Sequence, residues 1–556
     1  MTVGPKNSKP IRRLTMVQKV PLHKALANAL VAHEIDTVFG LLGDANLFMV
    51  NALLAEHDVT YVPFVHEAGT VLAALGYART SGKVGVATVT HGPALTNCTT
   101  ALVEAARSQL PVVLLAGDTA ITAPHNPQNI AQRSVVDATG AGFEQMRSPA
   151  SATADLARAF YRARVERRPI VLNMPADFMW EDVTNHAQVH AVPYSPSMVP
   201  EGAAMEQAIG MLASARRPLL LAGSGAIDGR DAIVTLAERI AAPLATTLQA
   251  KDLFRGHANN IGLFGTLSTD GAYDIMSKAD VVVVFGGSMH VFNTDHGKLL
   301  DGKRVIQVND TLASIGAMYV PDVVLGSDAG LTAADFKRWM DETETPSSQF
   351  ASEIDRETVL SYAPGEPETH RDGYVDYITA LEHFEAVLPK ERLLICDGGR
   401  FMTEPWCRIS VPSPRSFVYS TRFAAIGQGF SQAIGAGHGA PDKLPVAFVG
   451  DGGFMLGGLT EFNTAVRAGL KMVCVVANDS AYGAEHIQLT DRQMDPAIST
   501  FLWPSFAKVA RALGGDGITI RGAEDFDLIE PAVAQTKGPL LIDLKLDPAS
   551  VPRMRL

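Results

Sequence analysis

Cysteine is scarce in this sequence: 4 among 556 residues, at Cys98, Cys396, Cys407 and Cys474, far apart and without a CxxC pair. That spacing excludes a disulfide framework and a structural zinc site, and it points to a reducing cytoplasm. Basic charge is also short, with 47 Lys and Arg against 59 Asp and Glu, a net charge of −12. An acidic chain of this kind offers no electrostatic reason to bind nucleic acid. Uninterrupted apolar runs long enough to span a bilayer are absent, which excludes a membrane protein of the helical kind. The first twenty residues are basic but lack the apolar stretch of a signal peptide, and they read as a loose N-terminal extension. What the chain has in quantity is apolar surface and glycine, 47% hydrophobic residues and 48 glycines, with only 19% charged residues. Such a composition supports large cores and argues against disorder; the length suits about three or four domains of a soluble enzyme.

Short runs rich in Val, Ile and Leu alternate with helix-length amphipathic stretches along nearly the whole chain. This is the pattern of βαβ units and of parallel sheets covered on both faces. Two stretches interrupt it, 185–201 and 341–372, both rich in Pro with Ser, His, Glu or Thr, and both read as linkers. The fold class is therefore α/β, with three doubly wound parallel-sheet domains at 17–185, 202–340 and 373–550. No repeat of solenoid period is present.

The third block carries the strongest chemical signal. In PVAFVGDGGFMLGGLTEFNTAVRAGLKMVCVVANDSAYG, Val446–Val449 reads as a buried strand, Leu459–Arg467 as a helix and Met472–Ala477 as the next parallel strand. Asp451 follows the first strand and Asn478 the second, so both face one crevice at the same sheet edge. A carboxylate and an amide oxygen suit a hard cation such as Mg²⁺, which keeps part of its shell for phosphate. Gly450, Gly452 and Gly453 let backbone N–H groups approach an anion at a helix start. Gly-Asp-Gly alone also makes an ordinary tight turn. The second oxygen ligand at the adjacent strand end turns the pair into a metal-bridged diphosphate site.

This GDG segment ending in Asn-Asp resembles the thiamin-diphosphate motif of the family that includes pyruvate decarboxylase, acetolactate synthase and benzoylformate decarboxylase. The resemblance covers about 530 residues, in the order pyrimidine-binding, middle and diphosphate-binding domain. It implies thiamin diphosphate and Mg²⁺ as cofactors, with the metal held by Asp451, Asn478 and the backbone carbonyl of Ser480; Asp479 stands where the family has a second Asn. TRFAAIGQGFSQAIGAGHG is similar to the stretch that props the cofactor into a bent shape, which assigns the prop to Ile426 and a carbonyl contact to Ala424. Arg400 in DGGR falls where the family contacts the diphosphate. A buried apolar residue and a surface turn arginine are the plain alternatives for Ile426 and Arg400.

The cofactor's reactive carbon is deprotonated with help from a carboxylic acid on its pyrimidine ring, so the protein must supply a buried acid whose pKa burial raises. Glu67 sits at the C-terminal end of the strand VTYVPFV, just before the helix TVLAALGYART, and matches the family's activating glutamate; an acid in a first helical turn also complements the dipole. The pair His66-Glu67 is no zinc motif, because Thr70 stands where a second His would be. Asp44 in FGLLGDANL resembles the catalytic acid of FGLPGDFNL in pyruvate decarboxylases. His91 in VTHGPALTN stands where several decarboxylases carry a histidine, and Glu485 falls on the glutamate of NNDGYTIE. A helix cap, a turn histidine and a solvated helix face are the corresponding plain readings. His66, His290 and His486 read as structural, although His290, at a strand end, could approach the site across the middle domain. Gln132 lies near a family loop that it matches poorly, and it takes no role.

The middle block resembles the domain that holds FAD in acetolactate synthases. Its loop GGSMHVFNTDHG contains no arginine, and Gly223-Ser224-Gly225 lacks the remainder of a dinucleotide fingerprint, which argues against FAD. The resulting expectation is a thiamin-diphosphate- and Mg²⁺-dependent lyase that decarboxylates a small-molecule 2-oxo acid without oxidation and is able to carboligate. An acetolactate-synthase-like carboligase, a transferase to a carbonyl acceptor, is the alternative. A flavin oxidoreductase ranks below both, and a non-catalytic homologue lower still, since Glu67, Asp451 and Asn478 are all present. Catalysis by Glu67, Asp44, His91 and Glu485 and cofactor contact by Gly450, Gly452, Gly453, Ala424, Ile426, Arg400 and Asn478 complete the expected site. The resemblance further implies a homodimer or homotetramer with active sites at subunit interfaces.

Overall fold

The computed structural model describes residues 19–184, 198, 200–311, 315, 316, 318–365 and 371–555. The expected N-terminal extension (1–18) and most of the first linker lie outside the described residues. The apolar runs form three six-stranded sheets, every ladder of them parallel. A parallel sheet buried on both faces needs near-continuous Val, Ile and Leu, and strands such as VVVVF are wholly buried.

The first sheet uses β1 (Thr37–Gly40), β2 (Thr60–Pro63), β3 (Gly85–Val89), β4 (Val112–Asp118), β5 (Gly142–Gln145) and β6 (Pro169–Pro175), in the order β2-β1-β3-β4-β6-β5. The second uses β7 (Pro218–Ala222), β8 (Leu244–Thr246), β9 (Asn260–Leu263), β10 (Val281–Phe285), β11 (Arg304–Val308) and β12 (Val323–Leu325), in the order β9-β8-β7-β10-β11-β12. The third uses β13 (Arg392–Cys396), β14 (Phe417–Tyr419), β15 (Leu444–Gly450), β16 (Met472–Asn478), β17 (Asp516–Ile520) and β18 (Pro539–Lys545), in the order β14-β13-β15-β16-β18-β17. The first and third sheets thus share one topology, and the second has the dinucleotide-fold order. In each, the direction in which successive strands are added reverses at one pair of parallel neighbours: β1/β3, β7/β10 and β13/β15. Ligands of open α/β sheets bind at such a switch point, beyond the carboxyl ends of the strands.

The first and third sheets are joined through two helices, α1 (Glu67–Ser81) and α2 (Gly429–Gly439). A Cβ on Gly435 would lie 1.8 Å from the Ala73 carbonyl oxygen, and one on Gly76 would lie 2.1 Å from that of Gln432. Only glycine lets the two backbones meet this closely. Around the crossing, Val71, Leu75, Phe430, Ile434 and Phe454 belong to one continuous apolar core spanning both domains, while the middle domain has cores of its own. Asp397, after β13, caps the start of α2. Its carboxylate accepts the backbone N–H groups of Gly398 (2.8 Å), Gly427 (2.7 Å), Gln428 (3.2 Å) and Gly429 (3.3 Å).

Two differences from the sequence reading have physical causes. The glycine-rich stretch after β15 is helical: Asp451–Gly453 leads through a π-turn, Phe454–Gly458, into α3 (Leu459–Arg467). The widened turn lets Gly457 press on Gly427, where a Cβ would sit 2.0 Å from the carbonyl oxygen. The stretch read as a second linker packs as a strap on the middle domain as far as residue 365. Ala351 N–H bonds the Ala241 carbonyl, Phe350 is buried, and Thr269 Oγ1 donates to the Val359 carbonyl. Its Phe350, Val359 and Tyr362 supply the apolar anchors that its Pro- and Glu-rich composition obscures. Among the described residues no helix is long and apolar enough to cross a membrane.

Gly435→Ala is expected to lower stability by about 2 kcal/mol or more, because overpacking against backbone has no rotamer escape; a urea midpoint within error of wild type would remove the crossing's importance. Burial raises the Asp397 pKa to about 6 against its four N–H partners. An acid whose folded pKa exceeds its unfolded value of about 4 contributes stability that is full below pH about 4 and lost as pH rises through about 6. Asp397→Asn is expected to be less stable overall, yet to flatten the fall of the thermal midpoint between about pH 4 and 6.5. An unchanged slope would show that Asp397 does not set it.

Candidate active site

β15 and β16 end side by side, with Gly450 paired to Ala477, so Asp451 and Asn478 leave the sheet at one edge. Beyond that edge lies a cavity of about 580 Å³ lined by Gly398, Ile426, Ala424, Gly450–Gly453, Asp479, Ala481 and Glu485, among others. Its floor is held to glycine by contact. A Cβ on Gly452 would meet the Tyr482 ring at 2.5 Å, and one on Gly453 would meet Asp397 Oδ2 at 2.6 Å.

Asp451 is buried, with Oδ1 accepting its neighbour Gly452 N–H (2.7 Å) and Oδ2 accepting the indole N–H of Trp503 (2.9 Å). Burial pushes its pKa up to about 6 despite the opposing bonds from Gly452, Trp503, Ser480 and Ala481. Asp479 is pushed to about 7, first by burial and then by the charge of Asp451, with Arg400 opposing. Two acids raised in one crevice, facing backbone N–H groups, form a site that a divalent cation stabilises and that an anion can then join. Asn478 is buried beneath them; its amide donates to Asp543 Oδ1 (2.7 Å), and its Oδ1 accepts the Ser480 N–H (3.2 Å). Ser480 (φ 55°) and Ala424 (φ 59°), the two residues singled out for their carbonyls, both have left-handed backbone. Strain of this kind, costing about 1 kcal/mol or more per residue, clusters at binding sites. Among the described residues no three His, Cys, Asp or Glu side chains converge as a metal cluster, so a cation here relies on amide and carbonyl oxygens as well.

Arg400, the residue expected at the diphosphate, lines this cavity and is held from its far side. Its guanidinium donates to the C-terminal tail, to the carbonyls of Pro548 (2.7 Å), Pro552 (3.3 Å) and Val551. These carbonyls follow β18 and take one N–H from each of the three guanidinium nitrogens. The tail runs over the cavity, which Val551 and Met554 help to line, and Arg555 fastens its end to Glu404 (3.0 Å).

Of the remaining predicted groups, Glu67, Asp44 and His91 stand on the first sheet and do not line this cavity within one chain, whereas Glu485 does. Glu67 is the first residue of α1, capped by His66, whose ring accepts the Ala68 N–H; Glu67 Oε2 accepts from Asn97 (2.9 Å). It is half-buried rather than buried, because the turn that carries it opens at the sheet edge. Asp44 follows β1 and His91 follows β3, the two strands of the switch point. Thr90 Oγ1 bridges them, at 3.1 Å from Asp44 Oδ1 and 2.9 Å from His91 Nδ1, with Asp44 and His91 3.5 Å apart. His91 is buried and Asp44 exposed. Glu485 is exposed in the first turn of α4 (Gly483–Asp491), on the rim of the 580 Å³ cavity. His486 bonds Ser499, and His290 caps the turn that brings Phe292, not itself, to the cavity.

Sequence reasoning passed over three residues at these edges. Glu461 accepts the backbone N–H groups of His66 (2.9 Å) and Val65 (3.4 Å), tying the Glu67 turn to the third domain, and burial raises its pKa. An acid on the apolar stripe of α3, beside Phe462 and Ala465, was the available signal. Gln132 is buried, accepts the Gly92 N–H (2.8 Å) and donates to the Gly117 carbonyl (2.9 Å), which locks the turn after His91 at Gly92, φ 57°. Trp503 had no local signal.

At the middle domain's switch point the two glycine-rich loops touch each other. A Cβ on Gly223 would fall 2.3 Å from the Gly286 carbonyl oxygen, a packing reason for both glycines. A second cavity of about 480 Å³ lies beside them, and its arginines arrive from the other two domains. Arg167 pairs with Asp310, the acid after β11, and Arg415 with Asp228 (3.0 Å). Both of these guanidinium groups are held by acids of the middle domain.

Two α/β domains of matching topology, each with a chemically equipped switch point, and a third between them define an enzyme that binds a diphosphate cofactor. The comparison with known families agrees. The profile "Thiamine pyrophosphate enzyme, N-terminal TPP binding domain" matches residues 21–140, the central domain of the same family matches 205–336, and its C-terminal TPP binding domain matches 397–544. The chain belongs to the thiamine pyrophosphate enzyme family. It is 28% identical to sulfoacetaldehyde acetyltransferase of Castellaniella defragrans, over 95% of this chain and 92% of that one. It is 28% identical to the probable 2-ketoarginine decarboxylase AruI of Pseudomonas aeruginosa (91% and 90% covered) and to the acetolactate synthase large subunit of Parasynechococcus marenigrum (94% and 86%). The glycine floor and the raised acids of the third sheet fit this cofactor and a cation.

Arg400→Ala is expected to release the tail, so that carboxypeptidase removes the last residues several-fold faster than from wild type. Equal rates would mean that Arg555 and its neighbours hold the tail unaided.

Proposed function

We propose that this enzyme decarboxylates a 2-oxo acid without oxidation and can pass the product to a carbonyl acceptor, with Mg²⁺ held by Asp451, Asn478 and the Ser480 carbonyl. Bound thiamin diphosphate supplies the nucleophilic carbon and the electron sink for this chemistry. The chain's own residues then orient, protonate and exclude water. Glycines 450, 452 and 453 leave backbone N–H groups open to the diphosphate, Ile426 props the cofactor, and Ala424 offers a carbonyl to its pyrimidine. Glu67 holds a proton on the carboxyl oxygen that Asn97 leaves free. Asp44 and His91, joined through Thr90, move a proton at the substrate carbon, with Glu485 facing them from the third domain. These two half-sites meet in the proposal across subunits, in at least a dimer working in the cytoplasm, and the domains divide near 17–185, 202–340 and 373–550.

The observation that carries the reading is the Asp44–Thr90–His91 chain at the first switch point, since releasing an aldehyde requires a proton donor beside the reacting carbon. Acyl transfer is the second reading, favoured by relatives named acetyltransferase and acetolactate synthase. The test incubates the enzyme with thiamin diphosphate, Mg²⁺ and pyruvate, phenylpyruvate or benzoylformate. An aldehyde with CO₂ is expected; acetolactate or an acyloin with no aldehyde rejects the decarboxylase in favour of transfer. Glu67→Gln is expected to lower kcat by about 10²-fold or more with cofactor affinity kept, and unchanged turnover removes its role.

A further inference from the structure

Each side chain assigned to the cation above is itself gripped by a residue outside that set. Asp451 cannot turn freely: one oxygen takes the Gly452 N–H and the other the Trp503 indole N–H, at 2.7 and 2.9 Å. The indole is stacked on Phe501 (4.8 Å, 20°) and packs near Phe506 (6.4 Å), so its N–H direction is fixed by its neighbours. Asn478 is oriented from below. Its amide nitrogen donates to Asp543 Oδ1, which also takes Lys545 Nζ at 3.0 Å. An ion-paired carboxylate only accepts, so the NH₂ of Asn478 must face it and the carbonyl oxygen must face the Ser480 turn. Asp543 is completely buried, and among the described residues its Oδ2 has no hydrogen-bond partner, so its one bonded oxygen, Oδ1, fixes the side chain. Both grips meet on Phe506, which Trp503 borders on one side and Lys545 on the other, 6.0 Å from the ring.

We propose that Trp503 and Asp543 are positioning residues for the divalent cation, the indole aiming the Asp451 carboxylate and the buried acid aiming the Asn478 amide. Outer partners of this kind fix ligand orientation, and their loss typically weakens metal affinity by about 10–100-fold. Trp503→Phe keeps the stack and removes only the N–H; Asp543→Asn keeps the shape and can present an NH₂ against an NH₂. The inference rests on the cation site proposed above, and the experiment separates the two.

Mn²⁺ binding to the full-length protein with saturating thiamin diphosphate is followed by the electron paramagnetic resonance signal of the free ion, and tryptophan emission is recorded in the same titration. Asp451→Ala tests the site: wild-type Mn²⁺ affinity in that variant overturns the cation reading itself. If Asp451→Ala abolishes binding, Trp503→Phe and Asp543→Asn are expected to bind Mn²⁺ about 10–100-fold more weakly. Trp503→Phe is further expected to lose the cation-dependent change in emission. Wild-type Mn²⁺ affinity in both variants overturns the positioning roles while leaving the site intact. Should Asp543→Asn not fold, Lys545→Met, which removes the ion pair that holds the Asp543 carboxylate in place, is read in its place against the same two outcomes.

Discussion

The crossing of α1 and α2 is the contact on which the remaining geometry hangs. Two helices from domains nearly 360 residues apart in sequence meet backbone to backbone because Gly76 and Gly435 put nothing between them. From that contact the shared core of the first and third sheets grows outward. At one end of α1 the turn bearing Glu67 is bonded to Glu461 of α3. At the other end Arg79 is buried and donates to the carbonyls of Phe417, Pro414 and Gln249, binding three domains with one guanidinium. Burial lowers its pKa to about 10, which still leaves it charged at neutral pH, so the carbonyls must stay with it.

Much of this architecture is legible from local pattern. Val-rich runs at regular spacing yield parallel strands, and the strand Met472–Asn478 differs from its sequence reading by one residue. Asp451 and Asn478 could be brought together from text alone because adjacent parallel strands end on one edge. The Asp44–His91 pair is readable in the same way, each residue following a strand beside the switch point. What escaped has a common cause, dependence on a partner distant in sequence. Trp503 lies 52 positions from Asp451 in an irregular segment, Gln132 reaches back 40 to Gly92, and Glu461 reaches almost 400 to His66. No periodicity announces such bonds. Arg400 was placed at the right cavity, yet its direction depended on carbonyls almost 150 residues later. The half-burial of Glu67 was unreadable because burial is a property of the assembly around a turn, not of the turn.

The acidic character of the chain acquires a local meaning at the third switch point. A protein of net charge −12 that holds a diphosphate has no basic surface to do so. It places Asp451 and Asp479 together out of water instead, and the Mg²⁺ of the proposed function would let that crevice share the anion with helical N–H groups. The same logic explains why arginines are spent elsewhere, on carbonyls and on the acids of the middle domain.

The latch between Arg400 and the tail has a different kind of consequence. It grips main-chain oxygens, which all twenty amino acids possess, and two of its three acceptors belong to prolines, which carry no N–H to leave stranded. A lock of that sort reads the path of a strand of chain and is blind to its spelling. The side chains of Pro548, Val551 and Pro552 are therefore not what the latch reads, and side-chain specificity in the tail falls to Arg553 and Arg555, which pair with Asp491 and Glu404.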